Sequence, residues 1–250
     1  MRKPTSAANA TPIRVIIVTL DKHVAGAVDR AAERLREDQP GLTLTLHASS
    51  TWGDDPDAIE AAKADVLAAD IVVCTMMFID EHVKAILPAL EARRDDCDAM
   101  VALMSAGEVM KMTRMGKFAM DGEAKGVMGL LKRLRGSKKP GASSGANQMK
   151  VLRRLPKILK FIPGTAQDVR AYFMAMQYWL ASSDQNLEAM VRFLVERYAS
   201  GPRASLREVV TASQPIEYPE TGLYHPRLPE RITDDVSRLP SPPNPKGTVG

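Results

Sequence analysis

The sequence is poor in aromatic residues, 5% of 250, and holds only two cysteines, Cys74 and Cys97. The cysteines show no CxxC or zinc-type spacing, and Cys74 sits inside an apolar run where a small core residue is expected. Neither a disulfide framework nor a thiolate metal site follows from them. No apolar stretch approaches the roughly 18 to 20 uninterrupted residues that cross a bilayer, and the opening MRKPTSAANATP lacks the apolar core of a signal peptide. The expected address is the cytoplasm, without a membrane span. P-loop, HExxH, G-x-S-x-G and G-x-G-x-x-G patterns are all missing, which leaves nucleotide hydrolysis and the common hydrolase mechanisms without their residues.

Charge is plentiful but unevenly placed. Residues 111 to 160 carry 14 Lys and Arg against Asp121 and Glu123, net +12, which leaves −8 on the remainder of a chain whose total is +4. A basic patch on a mildly acidic body is the reading. Only Phe118 and Phe161 interleave that patch, too few for a stacking platform, so no nucleic acid is expected. A solvated face or a docking surface for an acidic partner remains, with Lys111, Arg114, Lys117, Lys132, Arg133 and Arg135 as its candidates.

Hydrophobic patterning alternates between strand and helix through the first half of the chain. Ile13 to Leu20 is a continuous β-branched run of the kind that lies buried on both faces of a parallel sheet. Residues 23 to 36 read as an amphipathic helix stopped by Gln39-Pro40-Gly41. Leu42 to Leu46 is a second strand, residues 55 to 69 a helix opened by Asp55-Pro56, Ile71 to Phe78 a third strand, Asp80 to Arg94 a helix, and Ala99 to Met104 a fourth strand. The fold class is therefore α/β: a flavodoxin-like open parallel sheet of about four strands, order 2-1-3-4, followed by a mainly helical segment. The expected domains are a disordered tail at 1–11, the α/β domain at 12–120, a basic helical region at 121–205, and an extended proline-rich linker at 206–250. Within the helical region Val127 to Arg135 reads as a short helix, 136–147 as a mobile loop, and Gln148 to Phe161 as a basic amphipathic stretch. Two further helices follow, 166–181 capped by Thr165 and 186–198 capped by Ser182 or Ser183. Between the fourth strand and this region, Val109, Met112, Met115 and Met120 recur at roughly helical spacing.

Ligands of open α/β sheets sit past the carboxyl ends of the strands, at the switch point, here between strands one and three. That rim gathers Asp21 and His23, Thr75 and Met76, and Ser105 and Glu108. Asp21 to Gly26 fits D-x-H-x-x-G, a pattern in which cobalamin-binding domains of similar topology use the His as cobalt ligand and the Asp as its orienter. The companion segments of those domains do not follow, and Asp21 capping a helix with His23 in its first turn explains the same residues. Contact with another tetrapyrrole or metal at this rim is the third reading. Glu108 is either a metal or pyrrole-nitrogen partner, since carboxylate oxygen suits Mg²⁺, or an acid favoured at a helix start. Nine methionines, from Met76 to Met128, line either an adaptable apolar pocket or an ordinary core.

Four segments together, IIVTLDKHVAGAVDRA, EVMKMTRMGKFAM, FIPGTAQDVRAYFMAMQYWLASSDQNLEAMVRFLVERY and YPETGLYHPRLP, resemble the N-terminal region of the magnesium chelatase H subunit, in the cobaltochelatase large-subunit-like superfamily. The resemblance covers about residues 13 to 250 and carries no catalytic signature. It implies a protein that binds protoporphyrin IX and receives Mg²⁺ in chlorophyll and bacteriochlorophyll synthesis, with ATP used by partner I and D subunits. It also implies further domains of the same subunit as partners, porphyrin propionates as a counter-charge for the basic patch, and no chelation by these 250 residues alone. The alternative is a free-standing tetrapyrrole- or cobalamin-binding module without catalysis.

Overall fold

The computed structural model describes residues 10–53, 55–120, 156, 159, 162–218, 221–228 and 231–240. Four parallel strands, β1 (Ile13–Thr19), β2 (Leu42–Ala48), β3 (Ile71–Thr75) and β4 (Ala99–Leu103), alternate with α1 (Ala25–Asp38), α2 (Pro56–Ala68) and α3 (Asp80–Arg93). After the single-turn α4 (Gly107–Met110) a hairpin of β5 (Arg114–Met115) and β6 (Phe118–Ala119) extends the sheet, giving the order 2-1-3-4-5-6. Then come α5 (Thr165–Ala181), α6 (Asp184–Tyr198) and α7 (Leu206–Val209). The expected order 2-1-3-4 stands, with an antiparallel pair added at its edge.

Alternation along each strand divides the core. Ile13, Val15, Ile17, Ile71, Val73, Val101 and Leu103 face α1, α5 and α6, while Ile16, Val18, Val72, Cys74 and Met100 face α2 and α3. Helices on both faces explain why these strands are apolar throughout rather than alternating with polar residues. Burial pushes the Cys74 thiol up to about 12, so it is a neutral core group at any physiological pH.

Five expectations need correction. The Met-rich stretch after β4 is a hairpin rather than a helix, because β4 would otherwise present an open edge. Thr113 Oγ1 accepts from Ala102 N–H at 3.1 Å and Tyr172 Oη donates to the Ala102 carbonyl at 3.2 Å, closing that edge beyond the reach of β5. The third and fourth strands stop at Thr75 and Leu103 because Met76 and Met104 turn into left-handed conformation, φ 56° and 44°. Thr165 is not a cap: it is the first residue of α5, behind Gly164 at φ 78°. The boundary at residue 120 does not separate two bodies, since one compact unit runs to Pro215 and α5 and α6 complete one face of the sheet. Lastly, 206–250 is not extended throughout: Leu206 and Val210 are buried around α7, and a second unit from Ile216 contains a hairpin of β7 (Leu223–Tyr224) and β8 (Ile232–Thr233). The expected tail at 1–9, the helix at 127–135, the loop at 136–147, most of 148–161 and the end 241–250 lie outside the described residues.

Ion pairs fasten α6 to α1 across a long sequence gap. Arg30 Nε meets Asp184 at 3.1 Å, Arg34 reaches Asp184 at 3.3 Å and Glu188 at 2.6 Å, and Arg192 joins Glu188 at 2.9 Å to Asp38 at 2.8 Å. The turn into α6 is held by Ser183, whose hydroxyl accepts from Asn186 N–H at 3.2 Å. Ser183→Ala is expected to cost about 1 kcal/mol. Urea unfolding measures it, and an unchanged midpoint would mean that the helix start is satisfied without this hydroxyl.

Candidate functional site

The carboxyl ends of β1, β3 and β4 form a continuous rim. Thr19 and Thr75 are register partners, as are Thr75 and Leu103, so the residues just beyond them sit side by side. Three hydrogen bonds stitch the β3 and β4 loops together: Met76 N–H to Leu103 O at 3.2 Å, Met77 N–H to Ser105 Oγ at 3.1 Å, and Ala106 N–H to Met77 O at 2.8 Å. Ser105 in turn donates to Leu103 O at 3.0 Å. Thr75, Met76 and Ser105, singled out from the sequence, are thus brought together.

On the other side of Thr75, β1 delivers Asp21 and His23. The Asp21 carboxylate accepts from His23 N–H at 2.7 Å and caps the short turn Lys22–Val24 that leads into α1. Asp21 N–H itself donates to Thr19 Oγ1 at 3.2 Å. The carboxylate therefore holds the backbone of His23 in this geometry, which is the capping role, and the imidazole stands exposed. Glu108 is exposed in the first turn of α4, and its charge, after those of Asp80 and Glu81, contributes to holding the Lys84 ammonium above its ordinary value.

Two features set this rim apart. The Thr75 hydroxyl is fully buried, yet its oxygen has no hydrogen-bond partner among the described residues. Such a group is costly unless something else satisfies it. Beside it, Met76 and Met104 occupy left-handed conformations that disfavour side chains by roughly 1–2 kcal/mol each. Strain of this kind concentrates where a loop must be aimed. The loop it aims carries Phe78 and Ile79, 54% and 40% exposed. Sequence reasoning placed Phe78 inside the strand, counted Met104 only among the nine methionines, and overlooked Ile79. The signal available was an apolar run continuing to the very edge of an acid-started helix. A left-handed methionine leaves no mark in sequence.

Among the described residues no group of three or more His, Cys, Asp or Glu converges. Of the basic candidates, Lys111 and Lys117 are exposed. Arg114 is committed instead to backbone carbonyls, its guanidinium donating to Arg94 O at 2.9 Å, Asp95 O at 3.3 Å and Cys97 O. Lys132, Arg133 and Arg135 lie outside the described residues. No helix among the described residues is long and apolar enough to cross a membrane.

An open, doubly wound α/β sheet whose switch point gathers the carboxyl ends of β1, β3 and β4 defines the structural class. Within that class the chain belongs to the family described as a domain of unknown function, DUF3479, which it matches over residues 14–173. It is similar to the magnesium-chelatase H subunit of Cereibacter sphaeroides, 51% identical over 236 residues, covering 94% of this chain and 20% of that protein. The corresponding H subunit of Rhodobacter capsulatus is 50% identical over the same length, with the same coverage. The chloroplastic magnesium-chelatase ChlH subunit of Oryza sativa is 27% identical over 231 residues, 90% of this chain and 16% of that protein. The chain thus spans about a fifth of the length of the curated relatives it matches.

Proposed function

We propose that this chain is the N-terminal part of the porphyrin-binding H subunit of a magnesium chelatase, the enzyme that inserts Mg²⁺ into protoporphyrin IX for chlorophyll and bacteriochlorophyll. The observation that carries the reading is half identity to two such H subunits along 94% of the chain. In it, Mg²⁺ and protoporphyrin IX are substrates, ATP is consumed by partner I and D subunits in the cytoplasm, and the remaining domains of the same protein supply the metal-inserting residues. The α/β part would serve as a head that faces the macrocycle with its rim. The aimed Met76 and Met104 and the exposed Phe78 and Ile79 support an apolar, planar contact there, with His23, Asp21, Ser105 and Glu108 at its margin. Lys111 and Lys117 remain candidates for docking an acidic partner.

Titration of the 250-residue chain with deuteroporphyrin tests the rim, read by quenching of Trp52 and Trp179. Saturable binding is expected, weakened about tenfold by His23→Ala, the loss of one contact worth about 1.4 kcal/mol. Binding unaffected by that change would move the porphyrin off the rim. The absence of saturable quenching would overturn the rim reading and leave this part of the protein as architecture or a partner-facing surface.

A further inference from the structure

On the α5–α6 pair, at the end opposite the rim, two half-buried arginines stand together with no ion pair to an acid among the described residues. The antiparallel register of these helices is fixed by Tyr198 Oη donating to Asp168 Oδ1 at 3.0 Å and by the ring contact of Tyr178 with Phe193 at 5.7 Å. That register sets Arg170 of α5 level with Arg197 of α6. Arg197 lies over two rings, 5.7 Å from the centre of Phe193 and 6.0 Å from that of Tyr198, and it also hydrogen-bonds Tyr198. Its Nε is buried with no partner among the described residues. Arg170 spends one N–H on the Pro156 carbonyl at 3.1 Å, and a guanidinium has five.

The contrast with other half-buried arginines is informative. Arg34 is paired with Asp184 and Glu188, and Arg203 with Asp70 and Asp98. Both are held above the ordinary arginine value, for Arg34 against the pull of burial and for Arg203 led by its hydrogen bonds to Asp98. Arg170 goes the other way: burial first, and then the charge of Arg197, push it down. Among the described residues neither nearby acid forms an ion pair with these arginines: Asp168 accepts from Lys117 N–H and Tyr198 Oη, both at 3.0 Å, and Glu196 from Ala212 N–H at 3.1 Å. Two like charges, partly desolvated and floored by aromatic rings, are unfavourable alone and become favourable when an oxyanion bridges them. Their planar forks suit the paired oxygens of a carboxylate or phosphate.

We infer that Arg170 and Arg197 form a binding site for the carboxylate or phosphate group of a small molecule, separate from the sheet rim and independent of what the rim binds. The test is thermal unfolding of the whole chain in chloride, phosphate or succinate at matched ionic strength. Between 1 and 50 mM, phosphate, succinate or both are expected to raise the midpoint by about 3–6 °C over chloride. A response to phosphate alone assigns a phosphate ester, one to succinate alone a carboxylate, and either supports the site. Arg170→Gln and Arg197→Gln, checked for folding by circular dichroism, should each remove most of the rise. Arg170→Lys keeps the charge while losing the fork, and should retain less than half of it. Equal midpoints in all three salts, or a rise that survives in the variants, would overturn the inference.

Discussion

Arg203→Met is expected to destabilise the protein by about 3 kcal/mol at pH 7, the cost of leaving a buried carboxylate without its cation. The carboxylate is Asp98, immediately before β4, whose side chain is 2% exposed. Arg203 grips it with Nε at 2.9 Å and Nη2 at 3.1 Å, and Ser200 adds a hydroxyl. Arg203 Nη1 also reaches Asp70 at 3.2 Å, the residue before β3. Burial by itself would raise the Asp98 carboxyl, but the bonds from Arg203 and Ser200 and the arginine charge more than offset it, leaving it below the usual aspartate range. A carboxyl depressed on folding stabilises the native state above its unfolded value near 3.9, and that contribution fades as pH falls toward the folded value. The difference in urea midpoint between wild type and variant should therefore be largest at neutral pH and shrink below about pH 4. A difference that stays constant from pH 7 to pH 3 would show that the arginine acts by packing alone.

Gly116→Ala is the second large effect, about 2 kcal/mol, or a fall of about 4–8 °C in the thermal midpoint. The β5–β6 hairpin turns through Gly116-Lys117, with Gly116 at φ +58° in the first central position, where two-residue turns of the II′ kind require glycine. A Cβ there would sit 2.8 Å from both oxygens of Asp168. That carboxylate cannot swing aside freely, because it accepts from Lys117 N–H and from Tyr198 Oη, both at 3.0 Å. Repeating the change on an Asp168→Ala background separates the two causes, since the contact vanishes and only the backbone strain remains. The cost should fall by about half. An undiminished cost would place the whole effect in the backbone conformation.

The first half of the fold was legible because its signals are local. Ile13 to Leu20 and Ile71 to Thr75 are apolar on both faces, and Asp55-Pro56 marks a helix start that the structure shows as a cap, Asp55 accepting from Ala58 N–H at 3.1 Å. The hairpin was misread because Met112, Met115 and Met120 match a helical period by chance, while the cause of the hairpin, the open edge of β4, lies in another part of the chain. The helices α5 and α6 were found but assigned to a separate region, since nothing in their own sequence says that their apolar faces meet Val15 and Val101 rather than each other alone. Topology alone set Thr75, Met76 and Ser105 at one edge of the sheet, where the structure joins their loops by hydrogen bonds. Its sharper features are a left-handed backbone and an unpartnered hydroxyl, which arise from packing and not from residue type.

The clamp between α1 and α6 has a bearing on how the chain is made. Arg30 and Asp184 are 154 residues apart, yet together with their neighbours they close the face of the sheet that α1 begins to cover. A ribosome adding about 5–20 residues per second needs roughly 8 to 30 s to travel that distance. Val15 and Ile17 exist from the start of that interval, Val73 and Val101 are added during it, and α6, which completes the face, begins only at its end. The nascent sheet is therefore an apolar half-sandwich for many seconds, and its protection during synthesis falls to chaperones or to the downstream segment itself.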